Sequence, residues 1–232
     1  MGYSVMLLAK SGSGKSYTMH NYKDEELMVI QIKRKLFPFK NDFKPLEVER
    51  EGGPLSKPLS VKGTVAVASK VEEIIDLFKV AKMFGIKTVV VDDFQYMMAC
   101  SMFERIDEKG YDKWSDFAKD LYDVIVGVED YTSDDTIVYL MSHVQSDAQG
   151  ATKMQTVGQL VDKALTPEGL ATIVLGPFRD SNGKYLCQTQ QKYGFDTCKS
   201  PYGMFEEEAV PNDLKAIDQK IREYYPEIFK DS

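Results

Sequence analysis

Residues 9–16, near the start of the chain, have the composition and spacing of a phosphate-binding loop. Gly12 and Gly14 allow a tight turn in which consecutive backbone N–H groups point inward and attract phosphate oxygens. Lys15 would reach the β and γ phosphates of a nucleotide, and the Ser16 hydroxyl would bind Mg²⁺. The first position of the loop holds an alanine where a glycine is usual, and its methyl costs little if the local φ is negative.

The sequence on both sides of this loop supports a nucleotide site. A short apolar strand is predicted over residues 3–8, and a helix can open at Lys15, which is the strand–loop–helix order that the motif requires. The residues expected to contact the nucleotide are Ser11, Gly12, Ser13, Gly14, Lys15, Ser16 and Tyr17. The expected cofactors are ATP and Mg²⁺, although no motif distinguishes ATP from GTP. A turn with a surface lysine is the alternative interpretation.

Two acidic residues follow the apolar strand predicted over residues 86–91. Asp92 and Asp93 stand there as in a Walker B motif, and in a parallel sheet this strand end can meet the phosphate loop. Asp92 is the candidate for orienting Mg²⁺, directly or through water. Asp93 could polarise the attacking water. The alternative is that a carboxylate at this strand end only caps the following segment.

Polar groups follow a further strand, which is predicted over residues 137–141. His143 and Gln145 come where a side chain can lie beside the γ phosphate and sense its presence. The alternative for His143 is a hydrogen bond to a neighbouring carbonyl. The small polar loop 146–153 could order when a nucleotide or a partner binds, or it could be a plain surface connection.

Strands and helices alternate along most of the chain. Apolar strands are predicted over 27–32, 64–67, 86–91 and 137–141, and amphipathic helices over 71–84 and 114–128. This alternation predicts an α/β fold with a doubly wound, mostly parallel central sheet flanked by helices. A C-terminal β-hairpin around the turn 180–183 follows, and a last helix begins at Asn212 or Asp213.

Composition and charge restrict the class of protein. The chain has 232 residues, 43% hydrophobic and 28% charged, as expected for a globular domain with a substantial core. We expect one P-loop NTPase domain over 1–232, with its core at 1–178 and the C-terminal hairpin and helix at 179–232. The net charge of −7 argues against a surface that binds nucleic acid all over. Without an apolar run of about 18 residues or paired cysteines, we expect a cytoplasmic protein with no membrane segment or zinc site.

Taken together, these motifs resemble those of phage-encoded RecA-like P-loop ATPases. The resemblance spans most of the chain and includes the lysine- and proline-containing segment 32–40 and the C-terminal segment 199–206. It implies an AAA-type ATP-binding protein of the single-strand DNA annealing and recombination group. By that resemblance, single-stranded DNA and a host single-strand-binding protein are expected partners. The chain is also expected to form a homo-oligomer in the cytoplasm of the host cell.

The resemblance also bears on the catalytic residues. Lys192, after the hairpin, is similar to the basic residue that related ATPases direct at nucleotide, sometimes across a subunit boundary, and Arg179 is a rival for that role. RecA-like proteins usually carry a catalytic acid near the end of the strand after the phosphate loop, but here that strand ends in Gln31, Ile32 and Lys33, without an acid. The identity of the catalytic base is therefore open. The expected catalytic residues are Lys15, Asp93, His143 and Gln145.

Basic and aromatic residues after the second strand are candidates for DNA binding. They are Lys33, Arg34, Lys35 and Lys40, with Phe37 and Phe39 able to stack on bases, and Lys153 in the later loop. The alternative is a solvated basic loop whose aromatics belong to the core. Two other functions stay open: a small-molecule kinase, although the arginines are scattered rather than gathered in a lid, and a nucleotide switch or helicase-loading module without rapid turnover.

Overall fold

The chain forms alternating strands and helices in a computed structural model that describes residues 2–54, 56–108, 110, 112–146, 150–192 and 194–229. The strands are β1 (Tyr3–Leu8), β2 (Met28–Gln31), β3 (Glu47–Arg50), β4 (Pro58–Lys62), β5 (Val65–Val67), β6 (Thr88–Asp92), β7 (Ile137–Ser142), β8 (Val144–Ser146), β9 (Thr152–Met154), β10 (Ile173–Arg179), β11 (Tyr185–Gln188) and β12 (Ala209–Pro211). The helices are α1 (Val71–Phe84), α2 (Tyr96–Glu104), α3 (Asp112–Tyr131), α4 (Gln159–Ala164) and α5 (Leu214–Tyr224), with 3₁₀ turns at Ser16–Met19 and Pro167–Leu170. Among the described helices, none is long and apolar enough to cross a membrane.

Eight of the described strands form one mostly parallel sheet, in the order β12-β11-β10-β1-β7-β6-β2-β5. The six consecutive strands β10, β1, β7, β6, β2 and β5 pair parallel with one another. At the other end of the sheet, β11 pairs antiparallel with β10 and β12. The predicted α/β architecture with a C-terminal hairpin is therefore confirmed. β1, which leads into the phosphate loop, and β6, which ends at Asp92, lie on opposite sides of β7.

Helices cover both faces of this sheet. Side chains alternate along β1, so that Met6 and Leu8 join one buried cluster while Val5 and Leu7 join another. Residues of α1, α2 and α3 pack into the first cluster, and residues of α5 pack into the second. Parallel strands buried on both faces need continuous apolar sequence, which is why β1, β6 and β7 were recognisable as strands.

The longer predicted helices are present. α1 ends before Gly85, whose left-handed φ of 66° closes the helix. α3 buries Phe117 and Leu121 at predicted core positions. Of the two predicted caps of the last helix, Asp213 is the one used, since its carboxylate accepts hydrogen bonds from two backbone N–H groups of the first turn of α5.

Several short elements were not predicted from the sequence. The segment 33–63 contains the antiparallel β3–β4 ribbon, whose Val48 and Val61 pack against the core. A second ribbon joins β8 and β9, and α2 and α4 are short helices. Elements of three to nine residues hold too few apolar positions to establish a period, so their sequences give little signal.

The helix after the phosphate loop is a single 3₁₀ turn, shorter than the motif suggests. It ends at Met19, and the chain returns to the sheet within residues 20–27. Tyr22 and Leu27 are buried on this return, and Glu25 turns the chain with a left-handed φ of 65°. A longer helix would carry these two buried side chains away from the core. The helix is therefore limited to a single turn.

Candidate nucleotide site

The phosphate loop follows β1 at the carboxyl edge of the sheet. Gly12 and Gly14 have left-handed φ angles of 77° and 99°, which residues with a β-carbon adopt only at a cost. A backbone hydrogen bond from the Ser13 N–H to the Lys10 carbonyl (3.3 Å) closes the turn. Ala9 does not have a positive φ and is 4% exposed. The alanine is therefore tolerated where a glycine is usual.

Residues from the C-terminal part of the chain press against the loop at Gly14. The side-chain amide of Asn212 donates to the Gly14 carbonyl (2.8 Å). A β-carbon added at Gly14 would lie 2.7 Å from Tyr185 Cδ1 and 2.8 Å from Asn212 Nδ2. The sequence suggested Asn212 only as a helix cap, because no local pattern connects it with the loop.

Lys15 is folded over the phosphate loop. Its ammonium donates to the carbonyls of Ala9 (2.9 Å) and Lys10 (3.2 Å) and lies 3.3 Å from His143 Nδ1. The residue is only 6% exposed, and burial lowers the pKa of the ammonium to about 8, although two nearby carboxylates attract its charge. The cation therefore lies inside the loop that would surround a phosphate.

The Ser16 hydroxyl and the Asp92 carboxylate meet across 76 positions of sequence. Ser16 Oγ lies 3.1 Å from both carboxylate oxygens of Asp92. Asp92 ends β6 and is 1% exposed, and burial raises the pKa of its carboxyl against the attraction of Lys35. Hydroxyl and carboxylate oxygens are donors that Mg²⁺ prefers in proteins. The two predicted metal ligands are thus brought together, and their chemistry fits this ion.

Asp93 leaves the strand through a left-handed φ of 61°. Its Oδ2 lies 2.6 Å from Lys35 Nζ, and its Oδ1 lies 3.5 Å from His143 Nε2. Burial acts to raise the pKa of this carboxyl, but hydrogen bonds from His143 and Lys35 outweigh that effect and lower the pKa to about 2. Both carboxylate oxygens are engaged, so Asp93 is a weak base in this arrangement.

Lys35 lies in the site, whereas its sequence context indicates only a DNA-binding role. Its ammonium lies 3.1 Å from Asp92 Oδ2 as well as close to Asp93. The Gln31 side chain anchors the backbone of Lys35, since it donates to the carbonyl (3.1 Å) and accepts from the N–H (3.3 Å). Gln31 itself stands opposite Asp92 in the pairing of β2 with β6. The pairing of Gln31 with Asp92 is the relation that could have placed Lys35 in the site. Sequence spacing does not reveal which strands pair.

His143 lies between Lys15 and Asp93. Because an ammonium only donates, Nδ1 accepts from Lys15, and the ring proton lies on Nε2 facing Asp93. The backbone N–H of His143 donates to Gln95 Oε1 (3.2 Å), and the buried Nε2 of Gln95 has no partner among the described residues. Gln95 is thus a further polar group at the site that the sequence motifs did not indicate.

Gln145 and Tyr17 have partners of their own. The Gln145 amide donates to Asp162 of α4 (3.2 Å). The Tyr17 ring stacks on His20 with centroids 4.4 Å apart and lies 4.7 Å from the Tyr185 ring. Tyr17 therefore belongs to an aromatic group beside the loop, while Gln145 faces α4 instead of the acidic pair.

The two basic residues proposed to act on nucleotide differ in their positions. The ammonium of Lys192 is 3.7 Å from Glu208, and its side chain is 60% exposed. Arg179 lies over the Tyr185 ring at 5.6 Å and lines a cavity of about 430 Å³ together with loop residues 9–13. Of the two, Arg179 is the one that shares a cavity with the phosphate loop.

Most of the predicted DNA-binding residues line one open cleft of about 880 Å³ beside β5, here called the basic cleft. Its lining includes Arg34, Lys35, Phe37, Phe39, Lys40, Phe43 and Lys44, with Glu73 and Asp76 of α1. The three phenylalanine rings pack on one another with centroids 5.3 to 6.0 Å apart, so part of their surface is already used. Lys153 lies on β9 and pairs with Asp162 (2.7 Å). Residues 147–149 of the nearby loop are outside the described residues.

Comparison with known proteins adds little to this geometry. No family model matches the chain, and no curated protein matches it. A KaiC-like protein from the hyperthermophilic archaeon Pyrococcus horikoshii OT3 is similar in structure, with 10% sequence identity and a TM-score of 0.43 over 90% of this chain and 88% of the other. The structure itself shows an α/β fold with a mostly parallel sheet, glycine turns in the loop after β1 and an acidic end of β6.

We predict that Gly14→Ala destabilises the protein more than the matched variant Gly12→Ala. Both positions have a left-handed φ, but a methyl at Gly14 would meet Tyr185 and Asn212, whereas nothing lies within 4 Å of one at Gly12. We expect the free energy of unfolding to fall by about 1 kcal/mol for Gly12→Ala and by about 3 kcal/mol for Gly14→Ala, measured by urea unfolding. Equal losses would contradict the close contact at Gly14.

Proposed function

We propose that this chain binds ATP with Mg²⁺ at the phosphate loop and hydrolyses it. The observation that carries the proposal is the 3.1 Å contact of the Ser16 hydroxyl with the Asp92 carboxylate, beside the buried ammonium of Lys15. The proposal is supported because residues predicted from two separate motifs lie together at the carboxyl edge of a parallel sheet, where such folds bind ligands.

The proposed reaction assigns a task to each residue of the centre. Ser16 and Asp92 would hold Mg²⁺, which would supply positive charge against the β and γ phosphates. Lys15 exchanges the loop carbonyls for phosphate oxygens, because a charged acceptor forms the stronger hydrogen bond. Asp93 would orient the attacking water once the ammonium of Lys35 has moved away from the Asp93 carboxylate. His143 contacts both Lys15 and Asp93 and can therefore respond to the γ phosphate.

A nucleotide switch without rapid turnover is the second candidate function. Gln31 ends β2 where the resemblance places a catalytic acid, and Lys35 and His143 occupy both oxygens of Asp93. A site whose acids are engaged in this way would bind ATP and hydrolyse it slowly. The ratio of turnover to binding decides between this function and the first.

We propose single-stranded DNA as a partner of the basic cleft. The resemblance to annealing and recombination proteins suggests the partner, and the cationic side chains of Arg34, Lys40 and Lys44 along the cleft support it. The same resemblance underlies our proposals of a host single-strand-binding protein as an associate and of a homo-oligomer. In such an oligomer, Arg179 or Lys192 would be offered to the nucleotide of a neighbouring subunit.

Lys15→Ala and Asp92→Asn should each slow ATP hydrolysis by about 100-fold or more, because each removes a group that offsets phosphate charge or holds the metal. Lys163→Ala, which changes an exposed lysine of α4, is the control and should stay within about twofold of the unmodified protein. The measurement is phosphate release with Mg²⁺, with and without single-stranded DNA.

Two outcomes of that experiment would change the proposal. Normal hydrolysis by Lys15→Ala would remove the phosphate loop from the reaction. ATP binding by the unmodified protein, with no phosphate release in either condition, would favour the switch over the hydrolase.

ATP binding should take up a proton above about pH 8. Burial lowers the pKa of Lys15 to about 8. At about pH 9 the Lys15 side chain is therefore deprotonated in most molecules that have no nucleotide bound. A triphosphate beside the side chain raises its pKa again, and binding restores the proton. We expect about one proton per nucleotide at about pH 9 and much less at about pH 7, measured by calorimetry in buffers of different ionisation enthalpy.

The control for this pH dependence is Lys15→Arg. A guanidinium stays protonated at both pH values, so ATP binding by this variant should show no proton uptake from this position. Binding by the unmodified protein at pH 9 without a buffer-dependent heat would contradict the assignment of the uptake to Lys15.

Binding to oligothymidine should weaken when Arg34→Ala and Lys40→Ala are combined. Each lost phosphate contact lowers the slope of log affinity against log salt by about 0.7 for a single strand, so the double variant should lose about 1.4. Lys163→Ala, outside the cleft, should keep the slope of the unmodified protein. Fluorescence anisotropy at several salt concentrations measures both. A chain that binds no oligothymidine at low salt, with or without ATP, has no DNA-binding cleft.

A further inference from the structure

Lys35 holds a place that the proposed reaction needs for other groups. Its ammonium lies 3.1 Å from Asp92 Oδ2 and 2.6 Å from Asp93 Oδ2. The side chain of Asp92 is fully buried, whereas that of Lys35 is 35% exposed. One ammonium therefore pairs with both the candidate metal ligand and the candidate water-orienting acid.

The position of Lys35 is built into the sheet. Gln31, which is 1% exposed, binds both the carbonyl and the N–H of Lys35 through its side chain. Because Gln31 ends β2 next to Asp92 of β6, the backbone of Lys35 is held at a set distance from the acidic pair. Leu36, one residue later, is 94% exposed.

The charges of the centre balance without a metal ion. Lys15 and Lys35 lie near Asp92 and Asp93, two cations with two anions. A divalent cation at Asp92 would lie beside the ammonium of Lys35 and compete with it for a carboxylate oxygen. Like charges at such short range repel strongly in a buried site, so the two cations exclude each other.

We propose that Lys35 is the internal counter-ion of Asp92 and Asp93 in the nucleotide-free protein, and that its ammonium must leave Asp92 before a divalent cation binds there. The inference rests on the proposed Mg²⁺–nucleotide site and adds a positioning residue to it. Lys35 also lines the basic cleft, so the ammonium can move toward the cleft by rotation of its side chain while Gln31 keeps the backbone in place. The metal site and the basic cleft thus share one cation.

Binding of Mn²⁺ to the nucleotide-free protein tests this role directly. Lys35→Met removes the competing charge and leaves two acids for the metal, so its affinity for Mn²⁺ should rise by about tenfold or more. Lys62→Met, which changes an exposed lysine of β4 by the same substitution, is the matched control and should change the affinity by less than about twofold. Electron paramagnetic resonance of free Mn²⁺ measures the affinity without any nucleotide or turnover.

Two further variants test whether the gain has the proposed cause. Lys35→Arg keeps a cation at the acidic pair and should bind Mn²⁺ about as weakly as the unmodified protein. Adding Asp92→Asn to Lys35→Met should abolish the gain. A Lys35→Met protein that binds Mn²⁺ no more tightly than the unmodified chain overturns the proposal, as does a gain that survives Asp92→Asn.

The stability of the variant supplies a second readout. Without its counter-ion, Lys35→Met should melt at a lower temperature than the unmodified protein, and millimolar Mg²⁺ should restore more of the loss than it does for Lys62→Met. A Lys35→Met protein whose melting temperature does not respond to Mg²⁺ overturns the proposal. Since these measurements use no nucleotide, failure of the unmodified chain to bind ATP would overturn the proposed function separately.

Discussion

Parallel pairing around β7 is the constraint on which the site depends. β1 and β6 both pair with β7, in registers that place Leu8 beside Ser142 and Val91 beside Leu140. The phosphate loop, the acidic pair and His143 therefore leave the sheet at one edge. The contact of the Ser16 hydroxyl with the Asp92 carboxylate follows from this alignment, since the two residues are 76 positions apart in the sequence.

The same edge concentrates four charges that compensate one another. Lys35 pairs with Asp92 and Asp93, and Lys15 lies near enough for both carboxylates to attract its charge while it donates to the carbonyl of Ala9. Buried ion pairs of this kind contribute little net stability, because desolvation offsets most of their attraction. In the proposed function, phosphate and metal would offer Lys15 and Asp92 stronger partners, so ligand binding would be coupled to rearrangement of these four side chains.

Residues whose role depends on their sequence neighbours were predictable. The glycine turns of the loop, the acidic end of β6, the hairpin and the cap at Asp213 belong to this group, and the structure has them where the sequence places them. Residues whose role depends on distant partners were not. Lys35 lies 58 positions from Asp93, Gln95 lies 48 from His143, and Asn212 lies 198 from Gly14. No spacing rule connects such pairs, and the short post-loop helix likewise depended on where Tyr22 and Leu27 are buried.

By itself the sequence determined the chemistry of the phosphate loop and the α/β class. The freedom of glycine and the identities of Lys15 and Ser16 act within one turn, and apolar periodicity acts within one strand or helix. Only the tertiary structure decided which cation the acidic pair meets. Lys35 reaches Asp92 because β2 pairs with β6, and the order of strands in a sheet is set by the burial and hydrogen bonding of the whole sheet rather than by the residues of any one strand.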